Sequence, residues 1–209
     1  MLNYSCMHYI IFDFDGTIAD SWEATLRTHA EMTGKTIEET STEMLNHRLV
    51  TPRYTKDRVY TQIETEELMK FRKDEYELKE KHELKLFKSF VEELKKIQNT
   101  KMAVVSTAFQ PALDKFCTAS EISFTHVIGF GPNFSKEVKM EEIAKDWGVE
   151  LSDIYFVTDT IRDVVEAKTF LDPSKILGCA WGFHGADRLL EVLPKEQILY
   201  NFEDIHKFF

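Results

Sequence analysis

Positive charge, cysteine and long apolar runs are what this chain has least of. Its 26 lysines and arginines face 36 aspartates and glutamates, giving a formal net charge of −10. A general nucleic-acid binder shows a basic face, so no nucleic-acid partner is expected. A small anionic substrate stays open, because a site needs only a few local cations. The three cysteines, Cys6, Cys117 and Cys179, are odd in number, widely separated and without a C-x-x-C pair. They read as reduced thiols of a cytoplasmic protein, not as a disulfide framework. No apolar stretch approaches the roughly 20 residues that cross a bilayer, so no membrane partner is expected either. The amino terminus has no basic flank and its apolar run is broken by Asp13, which argues against a signal peptide. Neither an internal repeat nor a low-complexity tract is visible.

Against these absences stand 209 residues, 43% of them hydrophobic, with sixteen phenylalanines. That suits one domain, or one domain with a modest insertion, built on a sizeable core. The stretch HYIIFDFDGTIADS, residues 8–21, carries the strongest signal. Tyr9, Ile10, Ile11, Phe12 and Phe14 suit a strand buried on both faces. Asp13 and Asp15 then fall at i and i+2, so their carboxylates share one side of the strand. At the carboxyl end of a central parallel strand, that side opens onto the crevice where α/β ligands bind. Two acids there repel each other and resist desolvation, a cost that a bound cation would remove.

Downstream, Trp22, Leu26, His29, Ala30 and Thr33 recur at helical spacing, with Gly34 as a stop. Residues 64–85 are dense in Glu and Lys, with sparse apolar positions, and read as one long solvated helix or two short ones. Nothing in 21–84 resembles a strand of a main sheet, so this span is a helical insertion. Phe87, Phe90, Val91, Leu94 and Ile97 form one stripe of a helix packing on a sheet. Strands follow at 102–105, 124–128, 154–157, 176–180 and, at an edge, 198–200. Helices alternate with them at 111–119, around 140–147, at 162–171 and at 186–193. This alternation predicts an α/β fold, a doubly wound (Rossmann-like) parallel sheet with right-handed crossovers. The core is residues 1–20 and 85–209, with 21–84 as an inserted helical domain.

Three further motifs lie in order along the core. MAVV runs into Ser106 and Thr107; FSKEVKMEEIAKDWG offers Lys136 or Lys139 near the start of a helix; and IYFV leads to Thr158, Asp159, Thr160, Ile161, Arg162 and Asp163. With D-F-D-G-T, this series resembles the four motifs of the haloacid dehalogenase-like superfamily. GCAWGFH, residues 178–184, is similar to the W-G-[FY] segment of its phosphoglycolate-phosphatase-like members. The resemblance covers the whole chain except the insertion, where only position and helical character match. It departs from the usual pattern at Thr158, where relatives carry Gly, and in lacking a Lys-Pro pair at the third motif.

The resemblance implies a Mg²⁺-dependent phosphatase with a helical cap over the site, acting on a small phosphorylated substrate as a monomer or homodimer. Asp13 would be the nucleophile and Asp15 the acid/base. Mg²⁺ would be held by Asp13, the Asp15 carbonyl and Asp159, with Asp163 supporting from behind. Ser106, Thr107, Lys136 and the N–H groups around Gly16 would hold the phosphoryl oxygens. His184 reads as structural. Apart from the resemblance, the basic residues of NHRLVTPRYTKDRVY, Arg48 and Arg53 with Lys56 and Arg58, read either as a solvated basic face paired with neighbouring Glu residues or as a site that binds a second anion on the substrate. Two alternatives share these motifs. One is a phosphomutase; the other is a binding protein that has lost activity, with Thr158 as its main evidence.

Overall fold

The computed structural model describes residues 7–52, 54, 56–131 and 134–209. The first half of the chain runs β1 (His8–Phe12), β2 (Ala19–Asp20), α1 (Trp22–Thr33), α2 (Ile37–Glu43), α3 (Gln62–Lys79), β3 (Lys85–Leu86) and α4 (Lys88–Lys96). It continues through β4 (Thr100–Phe109), α5 (Gln110–Ser120), β5 (Phe124–Phe130), α6 (Lys136–Trp147), β6 (Ile154–Thr158), α7 (Ile161–Ala167), β7 (Ile176–Cys179), α8 (Gly185–Leu189) and β8 (Ile198–Leu199). The main sheet has the order β5-β4-β1-β6-β7-β8, and every neighbouring pair in it is parallel.

Alternation along the strands builds both layers. Ile10 and Phe12 of β1 point into one apolar cluster with Met102, Val104, Val157 and Leu177, closed by Phe90 and Leu94 of α4 and Leu113 of α5. Ile11 points the other way, to Ala103, Val105 and Phe156, under Met140, Ile143 and Trp147 of α6 and Val164 of α7. Each such fully buried side chain contributes about 1.5–3 kcal/mol. With both faces covered, Ile10, Ile11 and Phe12 are fully buried, and acidic residues appear where β1 emerges at Asp13.

The helical insertion leaves and re-enters the core through a small antiparallel pair, with Ala19 opposite Leu86 and Asp20 opposite Lys85. Thr36 with Glu39, and Thr61 with Glu64, form capping boxes that start α2 and α3. A π-helical turn at Met44–Arg48 follows α2. Residues 62–79 form one helix, none of whose residues is fully buried. Leu26, Met44 and Leu49 make a small apolar cluster against Phe183, tying the insertion to the loop after β7.

Several boundaries differ from the sequence expectation. β4 reaches Phe109, not residue 105, because its last residue re-pairs with Phe130 after a register shift. The helix expected over 162–171 ends as α7 at Ala167. There the Thr169 hydroxyl donates to the Glu166 carbonyl at 2.7 Å, and Pro173 bars Asp172 from the helical region. α8 stops at Leu189, its last turn tightening through Leu193. Among the described residues, no helix is long and apolar enough to cross a membrane.

Candidate active site

β1 delivers Asp13 to the mouth of the sheet. Its N–H still pairs with the Val157 carbonyl at 2.9 Å, and its Oδ1 accepts from the Phe14 N–H at 2.8 Å. The chain then folds back, with the Phe14 carbonyl accepting the N–H groups of Thr17, Ile18 and Ala19. Gly16 sits in this turn at φ 75°, and a Cβ there would lie 2.0 Å from Asp159 Oδ2. Only glycine allows both that dihedral and that approach. Its own N–H is donated to the Ala19 carbonyl at 2.9 Å. Of the N–H groups around Gly16 expected to face the phosphoryl group, the Gly16 donor itself is engaged by this turn.

Lys136 and Lys139 are both buried on α6, and rotation about the helix separates their roles. Lys136 Nζ reaches Asp13 at 3.1 Å and Asp163 at 2.8 Å. Lys139 Nζ instead donates to the Ser106 carbonyl at 2.9 Å, holding the strand end that presents Ser106 and Thr107. Burial alone would lower the Lys136 pKa, but Asp13 and Asp163 raise it above the ordinary lysine range. Burial, with Lys136 and Arg72 nearby, pulls Lys139 down to about 7.

At the end of β6, Asp159 is wholly buried. Its Oδ2 accepts from the Phe183 N–H at 2.7 Å, and its Oδ1 lies 3.5 Å from the Thr17 hydroxyl. Thr158 occupies the strand opposite Gly178, without breaking the ladder, and its hydroxyl donates to Asp163 Oδ2 at 3.2 Å. Asp163, in the first turn of α7, also meets Arg162 Nε at 3.5 Å. Burial would raise the Asp163 pKa, but Lys136 and Arg162 overcome it and hold the carboxyl below the usual range. Burial raises Asp13 to about 7, with Lys136 opposing. Burial, then the charge of Asp13, pushes Asp159 well above the ordinary carboxylate range.

The donor set suits a hard divalent cation. All the side-chain oxygens are carboxylates, and among the described residues no Lys, Arg or His lies within ion-pair distance of the buried Asp159. No three Asp, Glu, His or Cys side chains among them converge into a closed metal cage. Mg²⁺ does not need one: it takes one or two carboxylates and fills its octahedron with water and substrate oxygens. A pH test follows. Asp13 ordinarily ionises near 3.8 but does so at about 7 when folded, so between those values the folded state holds the proton that the unfolded chain releases. The metal-free protein should therefore lose thermal stability as pH rises from about 4 to about 7. Asp159 adds to the same sign, while the opposite effect of Asp163 falls below 3.8. Added Mg²⁺ should flatten the slope in a melting series; a slope of the other sign would contradict this electrostatic picture.

Above the carboxylates lies a cavity of about 320 Å³ whose far wall comes from the insertion. Lys79 of α3 reaches Asp15 Oδ1 at 2.6 Å. Arg72 of the same helix pairs with Glu75 at 2.7 Å, and Glu75 reaches His29 Nε2 of α1 at 2.9 Å. Burial would raise the Glu75 pKa, but Arg72 and His29 hold it below the ordinary range. None of these four residues was marked as a site residue by the sequence reading, which placed His29 only on the stripe of a helix. Their signal is the spacing 72, 75, 79 on one face of a helix whose charges elsewhere are solvated. The basic cluster divides: Arg48 lines the cavity, Lys56 pairs with Glu137 and Glu141, and Arg58 covers the Tyr60 ring. Arg53 lies outside the described residues.

A carboxylate-lined crevice at the carboxyl end of a doubly wound parallel sheet, roofed by helices, defines an α/β protein with an acidic ligand site. A family model for haloacid dehalogenase-like hydrolases matches residues 10–170, more than half the chain. The chain belongs to that family. No curated protein matches it in sequence. Solved structures share the fold: a predicted phosphatase from Clostridium acetobutylicum is 18% identical with a TM-score of 0.63, covering 97% of this chain and 98% of that one. A predicted phosphoglycolate phosphatase from Haemophilus somnus is 18% identical with a TM-score of 0.67, covering 96% and 97%. A hydrolase from Pseudomonas syringae is 14% identical with a TM-score of 0.69, over 96% and 97%.

Proposed function

We propose that the protein is a Mg²⁺-dependent phosphomonoesterase that acts on a small phosphorylated metabolite through an aspartyl-phosphate. The observation that carries this reading is Lys136 bridging Asp13 and Asp163 beside a buried Asp159 that, among the described residues, has no Lys, Arg or His within ion-pair distance. Phosphoryl transfer requires positioning and charge neutralisation more than covalent machinery. Mg²⁺, held by Asp13, Asp159 and the Asp15 carbonyl with Asp163 behind them, would offset the charge between carboxylates and phosphoryl group. Asp13 attacks phosphorus in line; the new P–O bond forms as the ester P–O bond breaks. Asp15 gives its proton to the departing alkoxide and then takes one from the water that hydrolyses the intermediate. Lys136 and Ser106 hold the equatorial oxygens.

Two solved relatives are named as phosphatases, which supports the same reaction class. Thr158 is compatible with this reading, since its hydroxyl braces Asp163 with a hydrogen bond. Residues 21–84 act as the cap, with the Lys79–Asp15 contact drawing α3 onto the site. The direct test is a screen of phosphorylated metabolites with Mg²⁺, read as phosphate release; no release from any of them would remove the proposal. The acid/base role gives a second test. Asp15→Asn should slow ester cleavage more for alkyl than for aryl phosphates, because a phenolate leaves without a proton. Equal losses in single-turnover rates for both esters would take that role from Asp15.

A further inference from the structure

The loop after β7 touches both the acidic centre and the insertion within four residues. Trp181 Nε1 donates to the Thr17 carbonyl at 3.1 Å. Gly182 runs so close to the buried acid that a Cβ there would fall 2.2 Å from the Asp159 Cβ and 2.7 Å from the Gly16 carbonyl oxygen. The Phe183 N–H donates to Asp159 Oδ2 at 2.7 Å. The Phe183 ring turns to the insertion instead, with its centroid 4.8 Å from that of Trp22, beside Leu26, Met44 and Leu49. One residue thus holds the carboxylate with its backbone and the inserted wall with its side chain.

His184 and Arg162 repeat that arrangement. The Ile161 N–H donates to His184 Nδ1 at 2.9 Å, so the imidazole proton sits on Nε2. From there it is donated to the Leu45 carbonyl at 3.3 Å. The Arg162 N–H donates to the Leu49 carbonyl at 2.8 Å, and Arg162 Nη1 to the Arg48 carbonyl at 3.1 Å. The same guanidinium meets Asp163 through Nε at 3.5 Å. Carbonyls at the end of a helical turn lack partners within it, and here the residues flanking the buried acids supply the donors. The turn at 45–49 is seated on the two segments that present Asp159 and Asp163.

We propose that Phe183, His184 and Arg162 are positioning residues that couple the metal site to the insertion. Seating the turn at 45–49 fixes Asp159 for Mg²⁺, and Mg²⁺ bound there steadies that wall of the cavity. The coupling rests on the Mg²⁺ reading given above and goes beyond it, because it gives a share of the metal affinity to a wall that carries no metal ligand. Asp159 has room for the Phe183 N–H and a cation together, since a carboxylate offers about four lone-pair sites. Groups that orient a ligating side chain typically account for roughly 10- to 100-fold in metal affinity. Linkage makes the effect reciprocal: what the seated turn adds to Mg²⁺ affinity, Mg²⁺ adds to the seating.

Both directions can be read without substrate or turnover. In the wild type, hydrogen exchange of the peptide covering 44–51 should slow when Mg²⁺ is added, while peptides of α5 stay unchanged. In Asp159→Asn, Mg²⁺ should no longer slow it. Calorimetric titration with Mg²⁺ should give Leu49→Ala a dissociation constant roughly 10-fold above that of the wild type. Leu49→Met, which nearly keeps the volume, should restore the wild-type constant. A merely structural role for Leu49 would lower the melting temperature and leave the Mg²⁺ affinity of the folded protein unchanged. That result overturns the proposal. So does exchange at 44–51 that is indifferent to saturating Mg²⁺ in the wild type, a measurement that depends on no variant. If the wild type binds no Mg²⁺ at all, the metal reading of Asp159 fails first and the coupling falls with it.

Discussion

Asp13→Asn is expected to lower phosphate release by at least about ten thousandfold, the scale seen when a nucleophilic group is removed from an intact site. The protein should stay folded. The amide oxygen can still accept the Phe14 N–H that Asp13 Oδ1 accepts at 2.8 Å, and Lys136 keeps Asp163 at 2.8 Å. Removing the charge also relieves Asp159, whose pKa is raised by burial and then by the charge of Asp13. The metal-free variant should therefore melt no lower than the wild type at neutral pH. Phosphate release and thermal denaturation on the same sample separate the chemistry from the fold. Wild-type-like activity in the variant would remove Asp13 from the reaction.

The second large effect is on stability. Glu75→Leu should cost about 3–5 kcal/mol, because it leaves the buried Arg72 guanidinium without its counter-charge. Arg72 and Glu75 side chains are only 16% and 13% exposed, so water cannot compensate. For a chain of this length, each kcal/mol lowers the melting temperature by roughly 2–4 °C. Replacing both partners, Arg72→Met with Glu75→Leu, should recover much of the loss, since the uncompensated charge is then gone. Chemical denaturation of the two single variants and the double variant measures this coupling. Additive losses would mean that the pair contributes little beyond packing.

The sequence revealed the parts of this molecule that depend on local chemistry. The apolar run of β1, broken by Asp13 and Asp15, locates the central strand because a strand covered on both faces has to be apolar throughout. Asp159 and Asp163 follow β6 at a spacing that a strand-to-helix turn enforces. What sequence left open depends on rotation and packing. Lys136 and Lys139 lie one helical turn apart, and only the placement of α6 against β1 decides that Lys136 meets Asp13 while Lys139 meets Ser106. Arg72, Glu75 and Lys79 were hidden in a helix rich in Glu and Lys, where composition gives no sign of which charged face is covered. Gly16 stood out in D-F-D-G-T, but the use of its N–H within the turn was not legible. The crowded basic residues after Asn46 looked like one cluster, yet among the described ones Arg48 lines the cavity, Lys56 pairs with Glu137 and Glu141, and Arg58 covers the Tyr60 ring.

The most direct measurement traps the covalent intermediate. In Asp15→Asn, the water-activating base is gone, so the phosphoenzyme should accumulate when para-nitrophenyl phosphate and Mg²⁺ are mixed with it. Acid quenching, proteolysis and mass spectrometry should then find one phosphoryl group, labile to base, on the peptide containing Asp13. The same protocol on Asp13→Asn should find none. Release of para-nitrophenol with no phosphoryl group at Asp13, or with one on a different residue, would contradict nucleophilic attack by Asp13.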